Sequence, residues 1–183
     1  MRIIAGDHRG TVLADVGKGD AQSHLRPTSD RVRESLFSML AHLDVIHGAR
    51  VLDLFAGTGA LGLEALSRGA QDVVFIENSK VAQKLVRYNI DKLRAHDVAR
   101  LMREDATALG AWPMAPFDLV FLDPPYGKGM GQQALGAALA GGWLSQDAVV
   151  VWEENAPMDA PRGFRRMDKR KFGDTHVTLL RRD

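Results

Sequence analysis

The residues best suited to chemistry stand where an apolar run meets a carboxylate, two prolines and an aromatic ring: Val120-Phe121-Leu122-Asp123-Pro124-Pro125-Tyr126. The run, opened by Phe117-Asp118-Leu119, reads as a fully buried strand. Neither proline carries an N–H and each fixes φ near −65°, so the strand must stop there. A rigid strand-end loop results, presenting the Asp123 carboxylate, the Pro124 carbonyl and the Tyr126 ring side by side. Hydrogen-bond acceptors beside a stacking surface suit a planar heterocycle bearing an exocyclic amine. The plainer alternative is a proline turn with a surface acid and a core-facing Tyr126.

A second stretch, Asp53-Leu54-Phe55-Ala56-Gly57-Thr58-Gly59-Ala60-Leu61-Gly62, follows one apolar run and opens another that is helical in character. Gly57 and Gly59 permit a tight turn and close approach of a ligand to the backbone. Gly57-x-Gly59-x-x-Gly62, with Glu77 downstream, also matches the dinucleotide fingerprint, so a nicotinamide enzyme is a rival reading. Against it, a carboxylate at Asp53 would repel a pyrophosphate but could bind a cationic amino-acid group. The plainer alternative for Asp53 is a helix-capping acid. Glu77, ending the next apolar run and followed by Asn78, is placed to accept both hydroxyls of a ribose, or to be a solvated acid. Asp105-Ala106 could meet an adenine edge, with Glu104 as a substitute for the acid. Phe55, Ala56, Gly57, Thr58 and Gly59 complete the candidate cofactor loop.

These residues need a scaffold that brings strand ends together. From Arg50 the pattern alternates strand (51–55, 73–77, 99–102, 118–123, 148–153) with helix (59–68, 79–93, 131–140). Such alternation predicts a mainly parallel sheet covered on both faces. Ligands of open sheets of this kind bind beyond the carboxyl ends of the strands, where Asp53, Glu77 and Asp123 would all lie. Upstream, Arg2–Gly6 and Thr11–Ala14 predict a small hairpin, followed by a polar loop from Gly17 to His24. Val32, Leu36, Met39, Leu40 and Leu43 fall on one face of a helix near 29–43. Two strands, 164–172 and 176–182, close the chain around Gly173-Asp174.

At 183 residues the chain is expected to form one domain, 1–183, with a hairpin and loop extension over 1–25 and a catalytic core over 26–183. It has no cysteine, which excludes disulfides, zinc–thiolate sites and a thiol nucleophile. Six scattered histidines lack metal-ligand spacing, so no metal is expected. No run is long enough to span a membrane and no signal region opens the chain, so a cytoplasmic protein is expected. The net charge of +1 conceals an asymmetry: residues 161–183 hold eight Lys or Arg against three acids, while 41–160 are net acidic. Basic ends on a near-neutral chain suit a polyanion bound along one face, though a charge run can also be a solvated surface.

Arg26-Pro27-Thr28, Arg33-Glu34, the Leu52–Gly62 loop, Glu64-Ala65-Leu66-Ser67-Arg68-Gly69-Ala70 and Phe121–Tyr126 stand in one order, with Lys171-Phe172-Gly173 in the tail. Together they resemble the bacterial 16S rRNA (guanine-N2)-methyltransferase family, RsmD type, over nearly the whole chain. Thr58 stands where serine is commoner in that family, and the Gly17–His24 stretch is individual. The resemblance implies a Rossmann-like class I methyltransferase fold: a seven-stranded, mainly parallel sheet with helices on both faces and an N-terminal β-hairpin extension. It implies S-adenosylmethionine as donor and N2 of guanine 966 as acceptor, in 16S rRNA of the small subunit or its assembly intermediate, and a monomeric enzyme.

On that reading Asp123 and the Pro124 carbonyl accept the two amine hydrogens, and an ordinary aspartate, ionised at neutral pH, needs no tuning for this. Tyr126 stacks on the unstacked base, returning roughly 1–3 kcal/mol against a flipping cost of a few kcal/mol. Arg26, Arg31 and Arg33, with Arg9 and the basic tail including Lys171, are phosphate-contact candidates. An arginine near Glu34 could instead pair with it. The Arg26-Pro27-Thr28 segment is expected to order on substrate. Competing functions keep the donor but change the acceptor, to adenine N6 of DNA or a glutamine amide of protein. Beyond these stand an NAD-dependent oxidoreductase and a non-enzymatic RNA-binding module. Intact Asp53, Glu77 and Asp123 argue against the last.

Overall fold

The computed structural model describes residues 1–15 and 29–183. The Gly17–His24 loop and Arg26, Pro27 and Thr28 lie outside the described residues. The core alternates as expected: β1 (Arg50–Leu54), α2 (Ala60–Ser67), β2 (Asp72–Ile76), α3 (Lys80–Leu93), β3 (Ala99–Met102), a 3-10 turn (Ala106–Ala108), β4 (Phe117–Leu122), α4 (Met130–Ala140) and β5 (Leu144–Glu154), preceded by α1 (Asp30–His42). A hairpin of β6 (Phe164–Phe172) and β7 (Thr175–Arg182) ends the chain. Seven strands form a sheet in the order β3-β2-β1-β4-β5-β7-β6, with β7 antiparallel to both neighbours and the other pairs parallel.

β1, β2 and β4 are mostly apolar because both faces of the sheet are covered; Arg50, Asp72 and Asp118 stand at or next to their starts and Asp53 near the end of β1. On one face Val51, Val73, Phe75 and Phe121 pack with Leu36, Phe37 and Leu40 of α1, Leu63 of α2 and Val86 and Ile90 of α3. On the other, Leu52, Leu54, Ile76, Val120 and Leu122 pack with Ala134, Leu135 and Ala138 of α4. Among the described residues no helix is long and apolar enough to cross a membrane. β5 begins four residues earlier than the sequence suggests, at Leu144, and β6 carries an irregularity between Arg166 and Asp168.

The N-terminal hairpin is a short arm: Arg2 and Val12 form an antiparallel bridge, and the amides of Ile3, Gly10 and Leu13 donate to the carbonyls of Thr11, Ile3 and Met1. Other amides of the arm point to α2. Ile4 and Ala5 donate to the Glu64 carboxylate of α2 at 2.8 and 3.1 Å, and His8 donates to Ser67 Oγ, so these N–H groups do not pair across a ladder. Gly6, at φ +81°, lies so close to α2 that a β-carbon would sit 1.6 Å from the Ser67 carbonyl oxygen.

Glu64 also explains a correction. Arg33, expected to touch RNA phosphates, is fully buried. Its Nη2 reaches Asp30 Oδ1 and the Arg2 carbonyl, both at 2.6 Å, and its Nη1 lies 3.8 Å from Glu64, whose other oxygen meets Arg68 Nε at 2.7 Å. Its partners are Asp30 and Glu64, not the neighbouring Glu34. Arg33 therefore fastens α1 to the arm and α2, and its side chain is not exposed to an RNA phosphate. Glu64→Ala would leave the buried Arg33 with Asp30 as its remaining carboxylate, Arg68 without its partner and two arm amides without an acceptor. The expected loss is about 3–5 kcal/mol in denaturant unfolding, and a loss under about 1 kcal/mol would contradict this role.

Candidate active site

The order of strands places the switch of direction between β1 and β4: successive crossovers run from β1 outward to β2 and β3, then return to β4 and β5. Leu54 is level with Ile76 on one side and Leu122 on the other. Glu77 and Asp123 therefore leave the sheet on either side of the β1 end, with Asp53 between them. Glu153 and Glu154 end β5, where Trp152 is level with Leu122. Five carboxylates thus share one sheet edge, and among the described residues no ion pair involves Asp53, Glu77, Asp123 or Glu154.

Backbone amides hold Asp53, Glu77 and Glu154 instead. Asp53 Oδ2 accepts from Gly62 N at 3.0 Å, the third residue of α2. The helix starts after Gly59, whose φ of +77° and missing side chain leave no cap of its own, so Asp53 caps it from the preceding strand. The capping and ligand-binding alternatives for this acid are compatible, because the bond to Gly62 uses one of its two oxygens. Glu77 accepts from Gly57 N at 2.9 Å and Ser79 N at 2.8 Å, pinning the glycine turn to the start of α3. Phe55, at φ +61°, holds a conformation rare for an aromatic residue, at the bend that turns the chain away from β1. Ala56, Gly57, Thr58 and Gly59 are buried behind it, whereas Asn78 is exposed.

Asp105 is exposed and caps the 3-10 turn, its Oδ1 accepting from Thr107 N and Oγ1 at 2.8 and 2.7 Å, and Ala106 is buried behind it. Both hydrogen bonds hold the Asp105 pKa below the usual carboxylate range.

The Asp123–Tyr126 loop is clamped from two strands that sequence reasoning did not connect to it. Glu154 Oε1 accepts from Gly127 N at 2.7 Å, and the Tyr126 hydroxyl lies 3.4 Å from Thr175 Oγ1 at the start of β7. The signal for Glu153 and Glu154 was present: like Asp123, they follow an apolar run at a strand end. Tyr126 is half-buried, as a stacking ring needs, and burial pushes its hydroxyl pKa up to about 12. Burial, then the charges of Glu153, Asp53 and Glu154, raise Asp123 well above an ordinary carboxylate. The expectation of an untuned, fully ionised Asp123 is thereby corrected. Burial raises Asp53 to about 8, with Glu77 and Glu153 adding to the push and the Gly62 amide opposing it. An edge so rich in carboxylates is poised to receive cations.

Of the basic candidates, Arg9, Arg31 and Lys171 are exposed and take part in no ion pair among the described residues. Lys171 lines a groove of about 270 Å³ with Ser35, Met39, Arg170 and Phe172, between α1 and the β6–β7 tip. A cavity of about 310 Å³ near Arg50, Asp72 and Trp112 lies at the opposite ends of the strands and holds none of the strand-end acids. Among the described residues no cluster of His, Asp or Glu could hold a metal ion.

The family model described as "Conserved hypothetical protein 95" matches residues 1–181. The chain is 37% identical to the ribosomal RNA small subunit methyltransferase D of Escherichia coli K12, covering all of this chain and 90% of that protein. It is 34% identical to the protein of the same name from Haemophilus influenzae, covering 94% and 89%. The solved structure of yhhF from Escherichia coli superposes with a TM-score of 0.84 at 35% identity, covering 100% of this chain and 98% of that one.

Asp53 gives a pH test of the crowded edge. Its folded pKa of about 8 lies above the ordinary 3.8, so its protonated form stabilises the fold fully below about pH 4. That contribution is lost as pH rises through about 8. Asp53→Asn keeps an acceptor for Gly62 but carries no charge. Its melting temperature relative to wild type should therefore climb steadily between pH 5 and 8, and a constant difference across that range would disprove the shift.

Proposed function

The chain belongs to the family described as Conserved hypothetical protein 95, and from that premise we propose that it methylates the exocyclic N2 amine of a guanine in small-subunit ribosomal RNA, using S-adenosylmethionine. The observation that carries this is the clamped Asp123-Pro124-Pro125-Tyr126 loop standing beside the acid edge at the β1/β4 switch. The names of the two full-length relatives support both the reaction and the class of RNA. Guanine 966, an assembly particle rather than naked RNA, a cytoplasmic location and a monomeric state are the finer parts of this reading.

The acid edge fits a cationic donor. A dinucleotide would bring a pyrophosphate toward Asp53, whereas S-adenosylmethionine brings an ammonium and a sulfonium. In our reading Asp53 and the Phe55–Gly59 turn hold its amino-acid end. Glu77 takes the ribose hydroxyls; each of its oxygens accepts one backbone amide and keeps capacity for a second donor. Asp105 Oδ2 and the Ala106 amide serve the adenine, with Asn78 beside the ribose. When bound, the donor supplies a methyl group on a positively charged sulfur.

The chain's own residues do the rest. A guanine amine is a weak nucleophile because its lone pair is delocalised into the ring. Asp123 and the Pro124 carbonyl accept its two hydrogens and so fix the direction of that lone pair. As positive charge develops on nitrogen, the Asp123 carboxylate stabilises it. The neighbouring acids that raise its pKa in the free protein also make it a better proton acceptor, and a cation arriving at Asp53 favours its ionised form. Tyr126, held by Thr175, offers the stacking face.

Labelled methyl supplied on the donor should appear at guanine N2 of small-subunit RNA. Label in DNA or protein would redirect the assignment. Asp123→Ala should bind the donor as wild type does yet lose transfer by at least about a hundredfold. Retained turnover would remove Asp123 from the site.

RNA recognition outside the pocket rests on exposed cations. Replacing Arg9, Arg31 and Lys171 together with alanine should weaken RNA binding across sequences. The slope of log affinity against log salt should become shallower by about 0.9 per lost duplex phosphate contact. An unchanged slope would leave these residues as solvated surface. Arg26, tested separately, addresses the segment before α1.

A further inference from the structure

α3 packs its apolar face on the sheet through Val86, Ile90 and Leu93, yet the same buried face carries two amides, Gln83 and Asn89. Neither is needed to fill space, and a buried amide destabilises unless its hydrogen bonds are met. Theirs are met by the two turns of the proposed donor site. Gln83 Nε2 donates to the Glu77 carbonyl at 2.9 Å. Asn89, fully buried, donates from Nδ2 to the Thr58 carbonyl at 2.9 Å, in the middle of the glycine turn. The same Nδ2 donates to the Ala14 carbonyl at 3.1 Å, and Asn89 Oδ1 accepts from Ala14 N at 2.8 Å. Asn89 thus closes a two-way bond with the N-terminal arm and uses its remaining proton on the donor turn.

We propose that Asn89 is a positioning residue of the donor site, tying the glycine turn at Thr58 to the N-terminal arm so that donor affinity depends on the arm being docked. This rests on the donor assignment above, since the turn matters only if the donor sits there. A turn built on Gly57 and Gly59, both at positive φ, gains little order from its own side chains. Glu77 holds its first amide at Gly57, and without Asn89 the next peptide carbonyl would have no buried donor. The arm, fixed by Glu64 and Ser67 at its other end, gives Asn89 a rigid anchor. A helix-packing role alone would call for an apolar residue here, like Val86 and Ile90.

The test compares Asn89→Ala and Asn89→Asp with wild type; the aspartate keeps the acceptor for Ala14 N but has no proton for Thr58 or Ala14. Calorimetry with S-adenosylhomocysteine, the demethylated donor, should show affinity about tenfold weaker in both, equal to about 1.4 kcal/mol. Hydrogen exchange at amides 57–59 should accelerate, while that of β1 and β4 should not. In steady state the KM for the donor should rise with kcat at saturation nearly kept and the KM for RNA unchanged. If one variant fails to fold, the other carries the comparison. Unchanged homocysteine-product affinity in a folded variant, with lowered melting temperature only, would reduce Asn89 to a packing residue. Failure of wild type itself to bind S-adenosylhomocysteine would instead overturn the donor assignment.

Discussion

A carboxylate taken out of water must be held by something, and at the functional edge of this sheet it is held by the protein's own peptide N–H groups. Gly62 donates to Asp53, Gly57 and Ser79 to Glu77, and Gly127 to Glu154. Each bond does two things. It stabilises an acid that has lost part of its hydration, and it fixes the loop from which the amide comes. The start of α2, the glycine turn, the start of α3 and the segment after Tyr126 are all located this way. Cations in place of those amides would neutralise the acids and leave nothing for a positively charged ligand to complete.

The opposite solution is used one layer away. Glu64, as buried as any of the edge acids, faces two arginines and two arm amides, and its charge is fully compensated. That cluster joins α1, α2 and the arm into the platform on which the glycine loop rests. The two groups of acids meet the same short helix within one turn: Asp53 satisfies the N–H of Gly62 in its first turn, and the buried Glu64 stands two residues later. Asp53 is pushed up to about 8, whereas the compensated platform holds its shape independently of what enters the site. A site that must bind and release cationic and neutral forms of one ligand needs a support whose own charge does not change.

Much of this was legible in the sequence, for a specific reason. Asp53, Glu77 and Asp123 each end an apolar run, and in a parallel sheet such positions gather at one edge whatever the details of packing. The strand–helix alternation, the glycine turn and the proline stop are likewise local signals. What escaped depends on partners distant in the chain. Arg33 reads as a surface cation until Glu64 and Asp30 are seen beside it. The short N-terminal hairpin docks on α2 because Glu64 and Ser67, about sixty residues away, take the amides of Ile4, Ala5 and His8. Glu154 becomes a clamp because β5 lies parallel to β4, and Thr175 reaches Tyr126 because β7 inserts antiparallel beside β5.

The insertion of β7 also bears on how the Asp123–Gly127 loop is held. Pro124 and Pro125 stiffen the backbone but remove two donors, and the amide clamp on the Glu154 carboxylate comes behind them, from Gly127. Between Asp123 and Gly127 the only side-chain anchor among the described residues is the Tyr126 hydroxyl on Thr175. The ring is thus held at its far end, and among the described residues no hydrogen bond takes up the Pro124 carbonyl. Rigidity from prolines, a single amide clamp behind them and a tethered ring give a surface with its acceptors fixed before a base arrives. Preorganisation of that kind is where a positioning enzyme obtains most of its rate, because the ordering is already complete in the folded protein.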